Sequence, residues 1–236
     1  MSAKHNLEIQ RIKEDFKRGV PIFIFDDSKR EGETDIFFYA ESISPSSINF
    51  LRKEGGGMIF LASEYSLSNK IGLPFAQDIF EQFIRTSSDF DHFKTMLKHS
   101  IPYDSRSSFS IFINHKNTFT GITDKDRSLT VSSFFRIIKE STNLSVRDSR
   151  KLLSDNFRIP GHVPICIADS KLLQARRGHT ELVVAIMELA NLVPVAVGCE
   201  MLSNNGNSLN YSEAKSFARE RGYLFLEGRS IVEACL

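Results

Sequence analysis

The chain has little that would tie it to a membrane, a secreted scaffold or a polyanion. Its three cysteines, Cys166, Cys199 and Cys235, form no Cys-X-X-Cys pair and cannot all pair with one another. A disulfide framework is therefore excluded. Two of them lie inside apolar runs, as buried thiols do, and a reducing, cytoplasmic setting is expected. No apolar stretch approaches the roughly 20 residues needed to cross a bilayer. The polar start MSAKHNLEIQ lacks the apolar core of a signal peptide. A net charge of +1 gives no general pull toward nucleic acid or anionic membrane, so neither is expected as a partner. Internal repeats and low-complexity segments are also missing.

What is present is an ordinary globular composition, 41% hydrophobic and 25% charged over 236 residues. That length buries a substantial core. Periodicity predicts a helix over 7–19, with Leu7, Ile12 and Phe16 on one face and Gly19 at its end. A buried strand follows at 20–25 (VPIFIF), then a short helix opened by Ser44 and Pro45, and a strand in GMIFLA. Residues 76–100 read as irregular helix. SSFSIFINH alternates as a strand does, and a helix capped by Thr123 or Asp124 follows. The polar stretch 141–158 reads as a surface excursion. A Pro-Gly turn then leads into the strand VPICIAD, followed by the helix at 181–191, the strand VPVAVGCEM, the helix SEAKSFARERG and the strand GYLFLEG. Strands alternating with helices predict a layered α/β fold in a single domain, 1–236.

Two stretches concentrate chemistry. In FDDSKREGETD, five carboxylates (Asp26, Asp27, Glu31, Glu33 and Asp35) surround one Lys-Arg pair directly after a buried strand. Hard divalent cations prefer such oxygens. Glu31, Glu33 and Asp35 alternate and can project to one side, with Arg30 as a compensating charge or substrate contact. Asp26 and Asp27 fit a solvated loop as well as a site. In RRGHTELVVAIMELA, Gly178 allows a tight turn and Thr180 is placed to cap the next helix. The free N–H groups of that helix start favour an anion, and Arg176 and Arg177 stand upstream to grip phosphate. Taken alone, the motif also describes a surface helix starting after a basic residue. His179 can turn a metal ligand to the same spot. His162 stands at the Pro-Gly turn. Glu200 ends an apolar strand, where ligands of open α/β sheets gather; it can serve as acid or base, and a simple exit to solvent fits the residues equally well. His115 reads as structural.

The motifs DDSKREGETD, TFTGITDKDR, FRIPGHV, RRGHTE and CE, in that order, closely resemble the 3,4-dihydroxy-2-butanone 4-phosphate synthases of riboflavin biosynthesis. The resemblance runs from about residue 7 to about residue 228, and the Arg-Glu-Gly-Glu-X-Asp spacing is similar to the archaeal, single-function form. It implies a three-layer fold around a mixed, twisted sheet. It also implies conversion of D-ribulose 5-phosphate to L-3,4-dihydroxy-2-butanone 4-phosphate and formate with Mg²⁺ or Mn²⁺, in homodimers whose active sites are completed across the interface. Glu31 and His179 match the family's metal-binding positions. Arg30, Glu33 and Asp35 match substrate-contacting positions. Arg176, Gly178, His179 and Thr180 match the phosphate loop, with Thr120 a further phosphate contact. His162 and Glu200 match positions near the reacting carbons, and with Asp35 they supply the acid and base groups. Many relatives carry a cysteine where this chain has Phe60. The readings that compete are another metal-dependent sugar-phosphate isomerase or aldolase, and a phosphate-ligand binder without catalysis.

Overall fold

The computed structural model describes residues 8–99 and 101–236. The apolar run before the acids forms β1 (Ile22–Phe25), and the chain folds back as β2 (Thr34–Tyr39), antiparallel to it with Ile24 opposite Asp35. The other strands are β3 (Phe60–Ser63), β4 (Phe109–His115), β5 (Phe157–Ile167), β6 (Val195–Glu200) and β7 (Leu224–Glu227). They form one seven-stranded sheet in the order β4-β5-β3-β6-β2-β1-β7. The β1–β7 and β3–β5 pairs are parallel and the rest antiparallel, so the sheet is mixed, as expected.

The helices are α1 (Ile9–Lys17), α2 (Pro45–Phe50), α3 (Tyr65–Lys70), α4 (Ala76–Ile84), α5 (Asp91–Lys98), α6 (Asp124–Ser141), α7 (Val146–Asn156), α8 (His179–Leu189), α9 (Tyr211–Glu220) and α10 (Gly228–Cys235). α8 is buried from His179 to Met187, as a helix sandwiched in the core must be, with an apolar run at 182–187. It packs on β1, β3 and β6 beneath α1 and α10, while α6 packs on β4 and β5 with α2 and α7. Most of the buried apolar residues form a single cluster through the sheet. Phe37 and Phe60 meet edge to face within it at 5.9 Å, a geometry contributing about 1 kcal/mol beyond area burial. Cys166 and Cys199 are buried free thiols, as expected. Among the described residues no helix is long and apolar enough to cross a membrane.

Several elements differ from the sequence reading. The polar stretch 141–158 is not a loose excursion: Ser145 accepts a hydrogen bond from Asp148 N–H at 3.1 Å and caps α7. Pro160 and Gly161 lie inside β5, which begins at Phe157 and pairs with β4 across a register shift. Thr180 sits within the first turn of α8; the capping position is Gly178. The C-terminal α10 was not anticipated. Leu7, placed on the face of the first helix, and Ser100, placed in the irregular helix, lie outside the described residues.

Candidate active site

β1 must reverse into β2 through an acid-rich turn, and Asp26 organises that turn. It is buried; its Oδ2 accepts from Glu31 N–H at 3.0 Å and from Arg30 Nη1 at 3.1 Å, and its Oδ1 accepts from Glu33 N–H at 3.1 Å. Wrapping the backbone around one carboxylate aims Arg30, Glu31 and Glu33 into a cavity of about 360 Å³. Asp26 therefore shapes the turn from below, and only Asp27 is exposed as a solvated loop residue is.

Strand pairing supplies the next two acids. Asp35 on β2 stands opposite Glu200 on β6, so both side chains leave the same face of the sheet at adjacent positions. Glu200 Oε2 accepts from Met58 N–H at 2.7 Å. This seat exists because residue 57 is glycine: a Cβ there would lie 2.3 Å from Glu200 Oε2. Asp35 is almost fully buried and its Oδ1 has no hydrogen-bond partner. Burial, with Glu200, Glu31 and Glu33 nearby, pushes its carboxyl up to about 8 against the opposing pull of His179.

α8 brings His179 in at its first turn. The ring's Nδ1 lies 3.2 Å from Glu31 Oε2 and 3.7 Å from Asp35 Oδ2, and its Nε2 lies 3.2 Å from the Glu33 carbonyl oxygen. Burial opposes a charged ring, but Asp35, Glu31 and Asp26 outweigh it and raise His179 to about 9. Charged at neutral pH, the ring donates from both nitrogens. For Glu31, burial is outweighed by His179 and Arg30, which hold it down at about 2. Burial and then Glu31 push Glu33 upward.

Arg176 closes the opposite wall. Its Nη1 donates to the fully buried Glu181 at 2.5 Å, and Nε and Nη2 reach Asp104 Oδ2 at 2.9 and 2.7 Å. Gly178 leaves room beneath it, since a Cβ there would crowd the Arg176 guanidinium. Thr180 lines the same wall.

The cavity thus gathers Arg30, Glu31, Glu33, Asp35, Arg176, His179, Thr180 and Glu200, with Gly178 under its wall. Phe60 also lines it. His162 and Thr120 do not: both are exposed, and His162 Nδ1 is 3.0 Å from Asn114 Nδ2. Asn114 Nδ2 also reaches the Thr120 carbonyl oxygen at 3.4 Å, and Phe119, Ile122 and Ile159, close to them in sequence, are exposed. Arg158 ties the two segments together by donating to the Phe119 carbonyl at 3.1 Å. His115 is structural, its Nδ1 accepting from Asn117 N–H at 3.2 Å. Sequence reasoning missed Tyr103, Asp104 and Glu181. A Pro-Tyr-Asp turn carries no periodicity, and Glu181 reads as an ordinary first-turn acid.

The donors suit a hard divalent ion. Ligand atoms of Asp26, Glu31 and His179 lie within 4.8 Å of one another, and the unpartnered Asp35 Oδ1 borders the same space. Carboxylates with one imidazole and room for waters match Mg²⁺ or Mn²⁺ better than a soft metal. Asp26 has both oxygens committed to the backbone of the turn, so of the three Glu31 and His179, whose partners are side chains and one carbonyl, could more readily turn to an ion.

A sequence profile of the 3,4-dihydroxy-2-butanone 4-phosphate synthases matches residues 10–234. A 3,4-dihydroxy-2-butanone 4-phosphate synthase from Methanothermobacter thermautotrophicus is 38% identical over 227 residues, covering 96% of this chain and 95% of its own. One from Archaeoglobus fulgidus is 39% identical over 226 residues, covering 92% and 90%. Among solved structures, a 3,4-dihydroxy-2-butanone 4-phosphate synthase in complex with two magnesium ions superposes with a TM-score of 0.71 at 22% identity, over 97% of this chain and 99% of that one. The Candida albicans synthase superposes with a TM-score of 0.68 at 25% identity, over 96% of each chain.

Proposed function

The chain belongs to the 3,4-dihydroxy-2-butanone 4-phosphate synthase family, and from that membership we propose how its cavity carries out the family's reaction. The reaction is a lyase step of riboflavin biosynthesis: D-ribulose 5-phosphate becomes L-3,4-dihydroxy-2-butanone 4-phosphate and formate, with a divalent metal. The observation that carries the reading is the convergence of Asp35, Glu200, Glu31 and His179 on one cavity whose far wall is Arg176.

Glu31 and His179 would hold Mg²⁺ or Mn²⁺. When bound, the ion would polarise the sugar ketone and stabilise the negative charge that develops as the neighbouring proton leaves. Arg176, Thr180 and the N–H groups after Gly178 grip the phosphate, as helix starts beside a guanidinium do. Arg30 and Glu33 position the hydroxyls. Asp35 keeps a proton near neutral pH because of its burial, and Glu200, held by Met58 N–H, stands one strand away. Two neighbouring carboxyl groups with different environments divide proton donation and acceptance between them. That suits a reaction with several proton transfers on one bound sugar.

His162 and Thr120 serve the site from a second copy of the chain. Support comes from the residues close to them in sequence: Phe119 is 93% exposed, and Ile122 and Ile159 are exposed too, the kind of apolar surface that a partner covers. The assembly proposed is a homodimer of one-domain chains spanning 1–236, in the cytoplasm, in keeping with three free cysteines. Phe60 puts a bulky ring in the cavity lining at a position where many relatives have cysteine. The test is formate release from D-ribulose 5-phosphate with Mg²⁺. Formate that disappears with a chelator and in Glu31→Ala supports the reading; folded, metal-loaded protein that releases none overturns it.

A further inference from the structure

Asp104 sits at the one point where both arginines of the site meet. Its Oδ2 accepts from Arg30 Nη2 at 2.5 Å and from Arg176 Nε and Nη2 at 2.9 and 2.7 Å. The three side chains are well buried, at 9% exposure for Asp104, 10% for Arg30 and 16% for Arg176. The Nε–Nη2 edge of a guanidinium is the edge that best fits a carboxylate or a phosphate. In this chain a protein carboxylate already fills it.

The segment that delivers Asp104 is not part of the sheet. It follows α5, and among the described residues the backbone of 101–107 makes no hydrogen bond to a strand. The first comes at Ser108, whose carbonyl accepts from Ile167 N–H at 2.8 Å. Ile101, Tyr103 and Asp104 from this strap line the cavity. The Arg30 guanidinium carbon lies over the Tyr103 ring, 5.0 Å from its centre, while Tyr103 as a residue remains 45% exposed. The strap is therefore fastened through side chains: Asp104 at the two arginines, Tyr103 under Arg30, and Arg106 at its far end, 3.6 Å from Asp169 and over the Phe75 ring.

Charge argues against Asp104 staying in place once substrate enters. The cavity already carries Glu31, Glu33 and Glu200, opposed by Arg30 and Arg176. A phosphate dianion seated on Arg176 beside Asp104 would add a like charge at contact distance in a poorly solvated space, where such repulsion is strong. Glu181 holds the other side of Arg176 from full burial, so the guanidinium stays positioned if Asp104 leaves.

We propose that Asp104 is a stand-in anion: it occupies the fork of Arg176 that takes the substrate's phosphate, and an arriving phosphate displaces it and frees the 101–107 strap. The inference rests on the sugar-phosphate reading of the cavity. It makes Asp104 a positioning residue that sets phosphate affinity by competition, in the way that any occluding conformation lowers apparent affinity by the fraction of open molecules.

The test is calorimetric titration of inorganic phosphate into Mg²⁺-loaded wild type, Asp104→Asn and Asp104→Glu. Removing the competing charge should tighten phosphate binding about tenfold in Asp104→Asn, while Asp104→Glu keeps near wild-type affinity. Amide exchange on wild type, which needs no variant, should show 101–107 exchanging faster when phosphate is added. Equal or weaker phosphate binding by Asp104→Asn, or slower exchange of 101–107 with phosphate, overturns the proposal and makes Asp104 a fixed clamp. If that happens while wild type still releases formate, only this inference fails. If wild type neither binds phosphate nor releases formate, the reading beneath it fails as well.

Discussion

Asp35 and Glu200 are register partners across β2 and β6, and only one of them has a main-chain N–H on its carboxylate. The sheet places two acids side by side with unequal environments. The proposed division of proton donation and acceptance rests on that pairing more than on the number of acids in the turn.

Asp35→Asn should therefore cost activity heavily, on the order of 10² to 10⁴ in kcat, as loss of an acid or base group does. It should also alter the pH dependence of stability in metal-free protein. The folded carboxyl titrates near 8, above its ordinary 3.8. Its contribution is fully present below the ordinary value and is lost as pH rises through about 8. Thermal unfolding midpoints across that window should show wild type declining relative to Asp35→Asn. Parallel curves would refute the assignment.

Metal binding should release protons. His179 is raised to about 9 in the metal-free protein, and a nitrogen ligand must be unprotonated. Below about 9 the proton competes with the ion, so affinity for Mg²⁺ or Mn²⁺ should rise with pH. Calorimetry in buffers of different ionisation enthalpy should report uptake of protons by the buffer. His179→Gln should abolish that proton release along with most of the affinity.

Gly57→Ala should act on Glu200 alone. The added Cβ would stand 2.3 Å from Glu200 Oε2 and displace it from Met58 N–H. A shift of that size costs about 100-fold in turnover when it misplaces a reacting group. Phosphate binding at the Arg176 wall should be unchanged. A variant with normal kcat would show that Glu200 does not need this seat.

Mixing two inactive variants should restore activity if His162 reaches the cavity of a second copy. His162→Ala and Glu200→Gln chains, unfolded and reassembled at equal amounts, give half heterodimers with one intact site in two. The expected recovery is about a quarter of wild-type activity. No recovery from correctly assembled dimers would rule out completion of the site across the interface.

Much of this was legible in the sequence where local pattern carries the information. The apolar run of β1 followed by acids, the Gly-His-Thr start of α8 and the closing Glu200 of β6 are local signals, and the structure brings their residues to one cavity. Asp26 was misjudged because its partners are the backbone N–H groups of the turn that it helps create. Asp104 was invisible because its role comes from arginines 74 and 72 residues away in sequence. α7 was hidden by its polarity: a helix lying on the surface beside α6 needs few apolar positions. Thr120 and His162 carried the right motifs, but one chain does not bring them to the cavity.

The most direct test follows carbon C4 of the substrate. D-ribulose 5-phosphate labelled with ¹³C at C4 should give labelled formate and a four-carbon phosphate without label, observed by ¹³C NMR during turnover with Mg²⁺. Label retained in a five-carbon sugar phosphate, or in a fragment other than formate, would contradict the account and favour an isomerase or aldolase working in the same cavity.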